Sequence, residues 1–112
     1  MEAFAALADD TRRQIVELLA HGDQPAGAIA ERFTVSRPAV SRHLRVLREA
    51  GLVQVEPRGT QRVYALTRER FDELADWLDD VRRFWDQRLD ALGTEVSRGR
   101  RTDGTAPEGN RP

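Results

Sequence analysis

In SRPAVSRHLRVLREA, residues 36–50, three guanidinium groups and a hydroxyl are set at helical spacing opposite an apolar stripe. Val40, Leu44 and Leu47 fall at i, i+4 and i+7, while Arg37, Ser41, Arg42, Arg45 and Glu49 take the flank and the far side. Guanidinium groups bond guanine edges and phosphates, and a bidentate Arg–guanine pair contributes about 1–3 kcal/mol of discrimination between bases. A helix held by one face and presenting Arg and Ser on the other therefore suits a DNA groove. The competing reading is a solvated basic face, and the rest of the chain has to decide between them.

Other reactive groups are few. The chain has no cysteine and only two histidines, His21 and His43, so disulfides, thiol redox sensing and thiolate metal sites are excluded, and no metal site is expected. No nucleophile–base pair, paired buried carboxylates or phosphate-cradling glycine loop is present, so neither enzymatic activity nor a cofactor is expected. His43 lies between the apolar stripe and the exposed side; a hydrogen bond to backbone or phosphate is favoured there over a pH or metal switch. Asp72, Glu73, Asp76, Asp79 and Asp80 read as a solvated outer helix face rather than a cation site.

The elements that must position the basic helix follow from periodicity and turn chemistry. The 112 residues suit one modest domain, with a formal net charge of −1 that hides a strong asymmetry. Residues 32–62 carry Arg32, Arg37, Arg42, Arg45, Arg48, Arg58 and Arg62 against only Glu49 and Glu56, whereas 69–92 are acidic. Helices are predicted over 2–8, 11–21 and 25–33, with N-cap chemistry at Asp9–Thr11, Gly22 as a C-terminal stop and Pro25 as a start. Thr34 and Val35 link the third helix to 36–50, giving a helix-turn-helix. Strands at 52–56 and 61–66 flank a type I turn from Glu56 to Gly59, which places Arg58 near a hairpin tip and Arg62 on the return strand. Both arginines are candidate phosphate or minor-groove contacts.

A last helix is predicted over 68–92, capped by Thr67. Phe71, Leu78, Trp85 and Leu92 lie seven apart, with Leu74, Val81 and Leu89 alongside. Trp77 and Phe84 add a second stripe, more apolar surface than one small domain covers, so dimerisation is expected. Trp77, Phe84 and Trp85 read as dimer core in preference to a ligand pocket. Residues 94–112 are read as a disordered tail, leaving 1–93 as a DNA-binding and dimerisation domain. No stretch has the pattern of a membrane span or signal peptide, and a cytoplasmic location is expected. The expected fold is mostly α, a winged helix-turn-helix of about five helices and a two-stranded wing.

LADDTRRQIVELL at 7–19, AIAERFTVSRPAVSRHLRVLREAGLV at 28–53 and RGTQRVYAL at 58–66 resemble the ArsR-type winged-helix repressors. The resemblance implies a homodimer joined through the first and last helices, which brings Phe4 and Leu7 to the interface, and repression from a double-stranded operator with two half-sites. On the family pattern, Ser36, Arg37, Ser41, Arg42 and His43 face the groove. Many members sense metals through cysteines near this helix or through Asp and His on the last helix. This chain has neither set and is closer to the metal-independent branch. A winged helix used as a protein-binding adaptor, or a regulator sensing a small apolar ligand at the dimer interface, are the alternative readings; the operator and any inducer are not specified by the sequence.

Overall fold

The computed structural model describes residues 2–96. They form α1 (Glu2–Ala6), α2 (Asp10–Ala20), β1 (Gln24–Pro25), α3 (Ala26–Glu31), α4 (Arg37–Glu49), β2 (Val53–Arg58), β3 (Gln61–Leu66) and α5 (Arg68–Val96). The chain divides into two units, Met1–Glu73 and Leu74–Pro112. The first contains the helix-turn-helix and the sheet; the described part of the second is α5 from Leu74 onward.

Local chemistry fixes the helix ends. The Asp9 carboxylate accepts the Arg12 amide N–H at 3.0 Å and starts α2. The Ser36 hydroxyl accepts the Ala39 amide at 3.2 Å and starts α4, with Pro38 in the first turn, where its missing N–H removes no helical bond. At the other end of α4 the Leu52 amide donates to the Leu47 carbonyl at 2.9 Å and the Gly51 amide to the Arg48 carbonyl at 3.0 Å. This paired closure needs a left-handed residue, and Gly51 supplies it at φ +79°. The closure also sets Leu52 beside Leu47, and both are fully buried. Val40, Leu44 and Leu47 face the core together with Ile15 and Leu19 of α2 and Ile29 of α3. Each such side chain contributes about 1.5–3 kcal/mol by leaving water, so the recognition helix is held by its apolar stripe.

The expected two-stranded hairpin wing is present as β2–β3, and β1 extends it to a larger sheet. It has three antiparallel strands in the order β1-β3-β2, with Gln24 opposite Tyr64 and Pro25 opposite Val63. Pro25 is extended (φ −69°, ψ 153°) and precedes α3 instead of opening it. The expected type I turn from Glu56 to Gly59 is also corrected. Pairing runs from Val53↔Leu66 to Arg58↔Gln61, which leaves Gly59 and Thr60 as a two-residue loop with Gly59 at φ +61°. Gly at the first central position matches the turn twist that hairpin strands favour. Pro57 is tolerated within β2 because β2 is an edge strand.

At the last helix, the Thr67 carbonyl accepts from the amides of Arg70 and Phe71 and begins α5. The helix continues to Val96, past the expected boundary at 93. The remainder of the expected tail, 97–112, lies outside the described residues. Among the described residues no helix is long and apolar enough to cross a membrane.

Candidate nucleic-acid interface

Helical geometry sorts α4 into two sides. Arg37, Ser41 and Arg45 follow one another at i, i+4 and i+8, Arg42 flanks that row, and all four are exposed, as is Ser36 at the cap. Among the described residues, Arg37, Arg42, Arg45 and Arg48 meet no carboxylate within ion-pair distance, although Glu49 stands four residues beyond Arg45. Elsewhere most guanidinium groups are engaged. Arg13 pairs with Asp10, Arg68 with Asp72 at 3.9 Å, Arg70 with Glu73 at 3.3 Å and Arg83 with Asp80. Arg88 lies over the Phe84 and Trp85 rings at 5.6 and 5.7 Å. The α4 side chains thus form a cationic surface that its own chain leaves un-neutralised, which is the condition for binding a polyanion.

His43 stands apart from that surface. Its side chain is only 19% exposed, on the α2-facing side of α4. Arg12 Nη1 approaches His43 Nδ1 at 3.3 Å, and Asp9 Oδ2 lies 3.8 Å from the same nitrogen. His43 thus makes a contact between α4 and α2. Asp9 and Arg12 are residues that sequence reasoning did not assign to the site, because 31 positions separate Arg12 from His43 and no local period links them. The Arg12 amide N–H holds the Asp9 carboxyl below its ordinary value, with His43 and Arg12 adding to the effect.

The wing arginines are also separated. Arg58 pairs across the ladder with Gln61, and Arg62 with Pro57. Side chains alternate along a strand, so Arg58 lies on one face with Gln54 and Glu56, and Arg62 on the other with Val53 and Tyr64. Arg58 is further engaged by Glu56 at 3.4 Å, whereas Arg62 meets no carboxylate among the described residues. Both are exposed.

In the first unit the expected interface residues Phe4 and Leu7 are half-buried. In the second unit Leu74 is buried and Val81 half-buried. Trp77, Leu78, Phe84, Trp85, Leu89 and Leu92 are between 45% and 60% exposed, a run of large apolar side chains of the kind that marks an interaction surface.

Residues 9–55 match the model of the family described as "Bacterial regulatory protein, arsR family". That span runs from the α2 cap into β2. The HTH-type transcriptional regulator Rv2034 of Mycobacterium tuberculosis is 52% identical over 87 residues, 78% of this chain and 78% of that protein. The transcriptional repressor SdpR of Bacillus subtilis is 37% identical over 75 residues, 67% of this chain and 83% of its own length. Among solved structures, the homodimeric winged helix-turn-helix DNA-binding domain of Mb0332 from Mycobacterium bovis superposes with a TM-score of 0.61 at 31% identity, covering 71% of this chain and 74% of that one.

Proposed function

Because the chain belongs to the arsR family of bacterial regulatory proteins, and so is a DNA-binding transcriptional regulator, we propose that it represses by setting α4 of each protomer of a homodimer into the operator's major groove. The observation that carries this is the un-neutralised row of Arg37, Arg42 and Arg45 beside Ser36 and Ser41 on the exposed side of α4. Ser36 and Ser41 add short hydroxyls able to reach phosphate or base edges. Arg62 on the wing adds a phosphate contact, with Arg58 a weaker one because Glu56 already engages it. Two recognition helices about 34–36 Å apart read two half-sites one helical turn apart, and occupancy of the operator blocks polymerase, in the cytoplasm.

The dimer contact uses Phe4 and Leu7 of α1 and, on α5, Leu74, Trp77, Leu78, Val81, Phe84, Trp85 and Leu89. Two things support this: the exposed apolar run on α5, and the homodimeric state of the Mycobacterium bovis domain. With no cysteine in the chain and no histidine on α5, regulation proceeds without the family's thiolate or α5 metal sensors.

Arg42→Ala tests the interface. Titrated at fixed salt against duplex DNA from upstream of its own coding region, the variant should lose affinity by about 1–3 kcal/mol with no change in melting temperature. Unchanged affinity removes Arg42 from the interface.

A further inference from the structure

Arg12 touches three helices at once. It belongs to α2, its Nε donates to the carbonyl of Ala6, the last residue of α1, at 2.6 Å, and its Nη1 reaches His43 on α4 at 3.3 Å. A guanidinium has donors only, so the contact with His43 uses the lone pair of Nδ1. That contact requires a ring nitrogen without a proton, so it and a protonated Nδ1 exclude one another. The same Nδ1 has the Asp9 carboxylate 3.8 Å away. Asp9 is held below its ordinary value chiefly by the Arg12 amide, and therefore stays ionised through the range in which a histidine titrates.

We propose that Asp9, Arg12 and His43 form a proton-operated coupling between α1 and the recognition helix, in which Arg12 and Asp9 are positioning residues for α4. A proton arriving at Nδ1 removes the acceptor Arg12 uses and creates a donor that Asp9 can take. The ring then exchanges a cationic partner that repels it for an anionic one that attracts it. The strut from His43 through Arg12 to Ala6 opens at its His43 end, and α4 loses this hydrogen-bonded link to α1 while their apolar packing remains. Among the described residues no other charged group reaches the ring within ion-pair distance; on α4 itself the neighbours one turn away are Ala39, Val40, Val46 and Leu47, all uncharged. Glu2 of α1 and Glu49 of α4 line the adjoining cleft beside Arg12. His43 is partly buried, so the exchange is screened less than a surface pair would be.

The effect on operator binding rests on the DNA-binding reading above; the exchange itself does not. Two measurements separate them. In the DNA-free protein, the carbonyl-carbon NMR shift of Ala6 should follow the same pH midpoint as the His43 ring. His43→Asn retains an acceptor oxygen near the Nδ1 position but cannot titrate, and should abolish the Ala6 response. Asp9→Asn keeps a good helix cap and should push the Ala6 response to lower pH. In the DNA-bound assay, affinity should fall by about fivefold, the lower end of typical coupling, between about pH 7.5 and about pH 5.5. Acid alone favours binding to a polyanion, so a fall has the opposite sign to the nonspecific effect. His43→Asn should not show it.

An Ala6 shift that is flat, or that still titrates in His43→Asn, overturns the coupling. Wild-type affinity that does not fall in acid, or a fall that persists in His43→Asn, overturns its link to the operator. Failure of the wild type to bind any duplex at any pH defeats the DNA-binding reading instead, and the Ala6 titration still judges the cluster. Thermal melts of both variants at about pH 7.5 confirm that the fold is retained.

Discussion

The arginines of α4 and those of α5 are the same residue on the same kind of element, yet they do opposite work. On α5, Arg68, Arg70 and Arg83 each find an acid three or four positions away on their own helix. On α4, Arg37, Arg42, Arg45 and Arg48 find none among the described residues. The other face of each helix is contrasted as well. The apolar stripe of α4 is buried at Val40, Leu44 and Leu47, whereas much of the apolar run on α5 is exposed. One helix is anchored through carbon and offers charge; the other pairs Arg68, Arg70 and Arg83 with its own acids, leaves Arg82 unpaired among the described residues, and offers carbon. A guanidinium becomes available to DNA when no carboxylate engages it in the fold, as at Arg45 beside Glu49, and counting arginines along the chain does not reveal this.

The contrast can be broken most severely by making α4 resemble α5. Ser41 is four residues from both Arg37 and Arg45, so Ser41→Glu places a carboxylate where it pairs with either arginine and repels phosphate. Operator affinity should drop on the order of 100-fold or more, from lost base contacts and fewer neutralised phosphates, with helicity by circular dichroism unchanged. Retention of affinity would mean that the row does not face DNA. The converse change puts charge into the carbon face of α5. Trp85 is half exposed, so Trp85→Glu should fold, yet shift the protein from dimer to monomer in sedimentation equilibrium at micromolar concentration. A variant that stays dimeric removes Trp85 from the interface. The finest discrimination is on the wing. Arg62→Ala should reduce the slope of log affinity against log salt by about one unit per protomer, and Arg58→Ala by less, because Glu56 already engages Arg58. Equal reductions would show that the Glu56 pair opens on binding.

What the sequence made legible was what local periodicity and caps encode. The stripe of α4, its Ser36 cap and its Gly51 closure were readable because each lies within a turn or two of its partner. β1 was not, since two residues show no alternation and Pro25 reads equally well as a helix start. The wing turn shifted by two residues because Pro57 resembles a turn proline, and only the strand order shows that it sits on an edge. α5 runs beyond Leu92, where the heptad-spaced apolar residues that marked it end. Within the site, the exposed row was visible from helical spacing alone. The separation of Arg58 from Arg62 needed the hairpin register, and the turn of His43 toward Asp9 and Arg12 needed the packing of α2 on α4. Non-local contacts carry no signature in a window of the chain.

On the proposed reading, the un-neutralised arginines of α4 are the surface that meets DNA. This is tested most directly by the salt dependence of operator binding in Arg37→Ala/Arg42→Ala/Arg45→Ala, set beside an Arg68→Ala/Arg83→Ala control drawn from the paired arginines of α5. If the three contact phosphate, the slope of log affinity against log salt should fall by about three units per protomer in the triple variant and stay unchanged in the control. Equal slopes in the triple variant and the wild type, or an equal fall in the control, would contradict the account.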